Sequence, residues 1–178
     1  TGDINNDGLA DIYFAANRKG SNKLYVNKGN FEFEDITANA KVMGSADWCT
    51  GVSMADINSD GWLDIYVSTV SSKYGLTGHN ELYINNRNNT FTESAAAYGL
   101  NTSCFTTQTA FFDYDRDGDL DCYMLNQSHH PHANIVDTAN RKSYDSLSGD
   151  RLYRNEGPLV KLPSGERKGG FLDISKQA

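Results

Sequence analysis

Short runs in which apolar residues alternate with polar ones recur along the chain, and none has the length or spacing of an amphipathic helix. Ile12-Tyr-Phe-Ala-Ala16, Ile65-Tyr-Val-Ser-Thr69 and Cys122-Tyr-Met-Leu-Asn126 are rich in aromatic and branched residues, the composition of strands. A second set, Leu24-Tyr-Val-Asn27, Leu82-Tyr-Ile-Asn85 and Leu152-Tyr-Arg-Asn155, follows each of these. A third set comes next, Phe33-Glu-Asp-Ile-Thr37, Phe91-Thr-Glu-Ser-Ala95 and Phe171-Leu-Asp-Ile-Ser175, with the alternation of a half-buried strand. Further strands are predicted over Trp48 to Ala55 and Cys104 to Phe112. The order is the same each time, so the chain is an internal repeat. Its period, 53 residues from Asp3 to Asp56 and 57 from Asp56 to Asp113, suits a unit of four short antiparallel strands. Such units are the blades of a β-propeller.

Each unit carries the same acidic loop before its second strand. The loops are Asp3-Ile-Asn-Asn-Asp-Gly-Leu-Ala-Asp11, Asp56-Ile-Asn-Ser-Asp-Gly-Trp-Leu-Asp64 and Asp113-Tyr-Asp-Arg-Asp-Gly-Asp-Leu-Asp121. Oxygen-bearing side chains fall at positions 1, 3, 5 and 9: Asp3, Asn5, Asp7 and Asp11; Asp56, Asn58, Asp60 and Asp64; Asp113, Asp115, Asp117 and Asp121. Alternate side chains converge on one point, and a hard cation taking six to eight oxygens suits it. Without a cation such close carboxylates repel one another. Gly8, Gly61 and Gly118 stand at position 6, where the sharp turn favours a residue without a Cβ. At position 7 the expected ligand is the backbone carbonyl of Leu9, Trp62 and Asp119, so side-chain variety there is unremarked by the metal. The expectation is about three Ca²⁺ per chain, bound most tightly in the third loop, which has four ligand carboxylates instead of three. Position 12 holds Phe14, Val67 and Met124 in place of the bidentate Glu of an EF-hand, and a strand follows instead of a helix.

Composition agrees with an all-β chain: 16 glycines, ten tyrosines and eight phenylalanines describe strands punctuated by turns. With 178 residues the chain can bury a core. The formal charge of −7 does not indicate a basic partner, because eleven of the 23 acidic residues lie in the three loops. No nucleic-acid partner is expected, and no apolar run approaches the length of a membrane span.

The loops and the strands after them resemble the FG-GAP/VCBS repeats of integrin-α-like propellers, whose blades carry a D-x-[DN]-x-D-G-x-x-D calcium loop between their first two strands. The Leu-Tyr-x-Asn and Phe-x-Asp-x-Thr-like markers look most like the cartilage acidic protein and ASPIC/UnbV branch of that group. The resemblance covers essentially the whole chain. It implies adhesion, recognition or scaffolding outside the cell, at the cell surface or in a periplasm.

The expected boundaries are a first blade over 1–47 without its first strand, a second over 48–103 and a third over 104–178. Fewer blades than a closed propeller's four to eight imply a segment of a larger propeller, or chains that associate to complete one. Two insertions enlarge the third blade. One, at about 128–149, contains His129, His130 and His132 and reads as a solvated or partner-contact loop rather than a metal site. The other, at about 156–170, reads as a turn-rich excursion. Tyr13, Tyr66 and Tyr123 are aligned and are expected to pack between blades. Cys122 occupies a strand position and reads as a small hydrophobe. Cys49 and Cys104 both precede loops, at unequal offsets of seven and nine residues, which disfavours a bridge between them. Sequons begin at Asn88, Asn101 and Asn126.

No nucleophile motif or phosphate loop is visible, and the carboxylates that would make an acid/base pair are assigned to calcium. The favoured reading is a calcium-binding module for protein or glycan recognition. The alternatives are part of a secreted polysaccharide-degrading enzyme with its active site elsewhere, and an accessory subunit of a cell-surface assembly.

Overall fold

The computed structural model describes residues 1–72, 74–127, 148–161, 163 and 167–176. The histidine-containing insertion therefore lies almost wholly outside the described residues. Three antiparallel sheets follow one another in chain order. The first contains β1 (Ile12–Phe14), β2 (Lys23–Asn27) and β3 (Phe33–Asp35). The second contains β4 (Cys49–Ala55), β5 (Asp64–Thr69), β6 (Glu81–Asn85) and β7 (Phe91–Glu93), in that spatial order. In the third, β8 (Thr106–Phe112), β9 (Asp121–Asn126) and β10 (Arg151–Asn155) are followed in space by β13 (Phe171–Asp173). The chain is thus all-β, built from propeller-type blades, as its repeat predicts.

Two details differ from the sequence reading. The third-set strands stop at Asp35 and Glu93, and single helical turns follow, α1 (Thr37–Ala40) and α2 (Ala95–Tyr98). Each turn ends on a left-handed residue, Lys41 (φ 63°) or Gly99 (φ 78°), that reverses the chain toward the next sheet. The excursion after β10 is also more ordered than a run of turns: β11 (Val160–Lys161) pairs with β12 (Arg167–Lys168).

Period-2 alternation places one core on each side of the second sheet. Ile65 and Val67 point into the first, with Tyr13, Leu24 and Val26 of the first sheet. Tyr66 points into the other, with Cys122, Met124 and Tyr153 of the third. All six residues of β5 are buried as a result. The aligned tyrosines also bond across the repeat. Tyr13 OH donates to Val42 O and Tyr66 OH to Leu100 O, the segments leading into the following sheet. Cys49 and Cys104 are buried free thiols in separate cores, which accounts for the absence of a bridge.

β4 and β8, the first strands of consecutive sheets, lie side by side. Thr50 Oγ1 donates to Thr106 O at 2.6 Å, and Ser53 Oγ donates to Thr109 O. The contact needs Gly51, because a Cβ there would lie 2.0 Å from Gln108 Oε1 and 2.7 Å from the Thr107 carbonyl oxygen. Gly51→Ala is therefore expected to destabilise by about 1–3 kcal/mol through overpacking. Urea unfolding checks this, and an unchanged midpoint would refute the close approach.

Candidate metal loops

Each loop turns on the same set of hydrogen bonds. In the first, Asp3 accepts the N–H groups of Asp7 (3.1 Å) and Gly8 (2.8 Å), and Asp7 accepts that of Leu9 (2.8 Å). In the second, Asp56 accepts from Asp60 (2.9 Å) and Gly61 (2.7 Å), and Asp60 from Trp62 (3.0 Å). In the third, Asp113 accepts from Asp117 and Gly118, both at 3.2 Å, and Asp117 from Asp119 at 3.1 Å. Position 4 is left-handed in all three, at Asn6, Ser59 and Arg116, as is the position-6 glycine, with φ of 86°, 86° and 99°. A Cβ at these glycines would meet nothing within 4 Å, so conformation and not space calls for glycine there.

The donor set fits a calcium ion. Carboxylate oxygens of Asp113, Asp115 and Asp117 lie within 4.8 Å of one another on an exposed loop. Asn5 and Asn58 take the place of Asp115 in the first two loops; each donates its amide to the position-5 carboxylate, at 2.9 and 3.2 Å, which leaves its oxygen facing the same turn. Burial, then repulsion by Asp117, pushes the Asp119 carboxyl up to about 6, and Asp119 Oδ1 is buried without a partner. Burial pushes Asp64 up to about 7 against the pull of two backbone N–H groups, and Asp60 and Asp56 add to the shift. A divalent cation would offset both penalties. In the second loop Asp60 also pairs with Arg87, at 3.1 Å.

Position 9 has a role that its spacing alone did not suggest. Asp11, Asp64 and Asp121 are fully buried. One oxygen of each accepts the N–H of loop position 2: Ile4 (2.9 Å), Ile57 (3.0 Å) or Tyr114 (3.0 Å). The other accepts the N–H of the asparagine that ends the third strand of the blade unit: Asn27 (2.9 Å), Asn85 (2.8 Å) or Asn155 (2.9 Å). Each oxygen keeps a second lone pair, so the same group can also reach a cation. The asparagines contribute more. Their amides donate to Ala10, Leu63 and Leu120 O, and their oxygens accept Gly29, Arg87 and Gly157 N–H. The recurrence of Asn at the end of every Leu-Tyr-x-Asn marker was the available signal for this role.

Of the sequons, Asn126 is buried and its amide donates to Gly149 O, while Asn88 and Asn101 are exposed. No helix among the described residues is long and apolar enough to cross a membrane.

In chelator, Asp121→Ala is expected to cost about 2 kcal/mol, since it orphans the buried N–H of Asn155 and the half-buried N–H of Tyr114. Asp115→Ala is expected to stay within about 0.5 kcal/mol. Urea unfolding of both variants separates the roles, and equal losses would refute the distinction.

The FG-GAP-like repeat model matches residues 3–67 and 70–124. The chain is also 30% identical over 172 residues to cartilage acidic protein 1 of Xenopus tropicalis, an alignment covering 96% of this chain and 25% of that protein. The chain thus spans about a quarter of the length of that relative.

Proposed function

The chain belongs to the FG-GAP-like repeat family, and from that premise we propose that it is a calcium-stabilised segment of a β-propeller that recognises a protein or glycan partner outside the cell. The observation that carries this reading is the threefold recurrence of one loop geometry, with oxygens of positions 1, 3 and 5 gathered on a single turn. The ligands in this reading are Asp3, Asn5, Asp7 and Asp11 with the Leu9 carbonyl; Asp56, Asn58, Asp60 and Asp64 with the Trp62 carbonyl; and Asp113, Asp115, Asp117 and Asp121 with the Asp119 carbonyl. Calcium supplies charge neutralisation and holds each loop closed. Millimolar calcium outside the cell saturates even weak modules, and the similar frog protein is named for cartilage. Calorimetric titration tests the assignment. Three ions are expected for the natural chain and two for each of Asp7→Ala, Asp60→Ala and Asp117→Ala, with the tightest site lost in Asp117→Ala. Unchanged stoichiometry in these variants would overturn it.

Further blades are the partners that the two end faces favour. Phe14 (55% exposed) and Phe33 (40%) of the first sheet occupy the positions that Val67 and Phe91 fill, buried, in the second. At the other end Tyr114 (38%) and Tyr123 (36%) correspond to the buried Ile57 and Tyr66. Each end thus repeats one half of an interface already formed inside the chain. Leu125, two residues after Tyr123 on β9 and 45% exposed, lies on the same end face; in a longer chain carrying flanking repeats, Leu125→Lys is expected to cost of order 3 kcal/mol, because it buries an unpaired charge. In the 178-residue chain the same change is expected to be neutral. Thermal unfolding of both checks this, and equal effects would refute it.

A further inference from the structure

Two groups of contacts join the first loop to the second. Asn6, at position 4 of the first loop, donates its amide to Gly61 O of the second at 3.1 Å. The peptide carrying that carbonyl has its other end, the Trp62 N–H, bonded to the Asp60 carboxylate. Asn6 itself lies between Asn5 and Asp7. One side chain thus fixes a peptide of the second loop from between two ligand positions of the first.

The other connection is buried. Asp11 accepts the N–H of Ile4, the Ile4 carbonyl accepts the Asn85 amide at 2.8 Å, and the Asn85 backbone N–H donates to Asp64. Ile4, Asn85 and both carboxylates are at most 3% exposed. The position-9 aspartates of the two loops are therefore the ends of one hydrogen-bonded chain. The backbone supports it, since a Cβ on Gly2 would lie 2.7 Å from Leu63 Cδ1.

The second and third loops differ in this respect. Asn58 and Ser59 face Asp119 and Asn155 across a small cavity, and among the described residues no hydrogen bond joins these two loops. Ser59 is too short to make the link that Asn6 makes, and among the described residues the Asn155 amide donates within its own blade, to Leu120 O.

We propose that Asn6 and Asn85 are positioning residues that couple the first two cation sites, so that filling one raises the affinity of the other, while the third binds independently. The inference rests on the calcium reading above. An ion in the first loop orders Asn5, Asn6 and Asp7, and with them the Gly61–Trp62 peptide. The second ion then meets a loop whose ordering cost is already met in part. By linkage the effect is the same in either direction.

Terbium in place of calcium provides the test. Trp62 is in the second loop, so luminescence excited where tryptophan alone absorbs reports mainly that site. In the full chain, Asp7→Ala is expected to weaken terbium binding at the second loop by about tenfold. Asp117→Ala is expected to leave it within about twofold. In an Asn6→Gly background, which retains the left-handed backbone, the response to Asp7→Ala is expected to shrink to about threefold. Adding Asn85→Ala is expected to abolish it. A second-loop midpoint indifferent to Asp7→Ala, or equally sensitive to Asp117→Ala, would overturn the coupling and leave the calcium reading intact. A response that stays tenfold in the Asn6→Gly background would overturn the role of Asn6. A luminescence signal undiminished by Asp60→Ala would show that the second loop holds no cation, and would overturn both.

Discussion

A buried carboxylate gripped by two backbone N–H groups is the constraint on which each blade depends. Asp11, Asp64 and Asp121 each tie the start of their loop to the end of the unit's third strand. Both donors give their hydrogens to the carboxylate, so removing it would leave two buried or half-buried polar groups unpaired, at a cost of about 1–3 kcal/mol each where burial is complete. Burying the acid is itself costly, as the raised Asp64 shows. In the proposed calcium-bound form the loop's remaining oxygens would bring a cation close enough to offset that cost. Metal chemistry and strand pairing would then be two uses of one turn.

Packing carries the effect outward. The loop delivers Ile4 into the core between the first two sheets and Ile57 into the next, one residue beyond the first ligand position. A loop that opened would withdraw that side chain from the interface. Tyr114, the corresponding residue of the third loop, meets no further sheet among the described residues and is partly exposed. The same residue position is core or surface according to whether a neighbouring blade is present.

Much of this was legible in the sequence, because the strands, the loops and their repeat are all local patterns. Ile65, Tyr66 and Val67 announce a strand by type alone, and Asp56, Asp60 and Gly61 announce a turn by spacing. The helical turns at Thr37–Ala40 and Ala95–Tyr98 were not legible. Four residues are too few to show a 3.6 period, and these turns exist because the chain must reverse beneath a sheet. The role of Asn85 was hidden for a different reason. Its partners, Ile4 and Leu63, lie 81 and 22 residues away, and no local pattern records such a separation. The difference between Asn6 and Ser59 at the same loop position carries no local signal either, because its consequence lies in a contact with Gly61, 55 residues away.

If calcium is part of the fold, removing it must destabilise the native state. Thermal unfolding followed in saturating calcium and again in excess chelator tests it most directly. Cation binding confined to the native state raises stability by about 2.7 kcal/mol per site at a hundredfold excess over the dissociation constant. A large upward shift of the midpoint with calcium, fully reversed by chelator, is expected. Superimposable curves in the two conditions would contradict it.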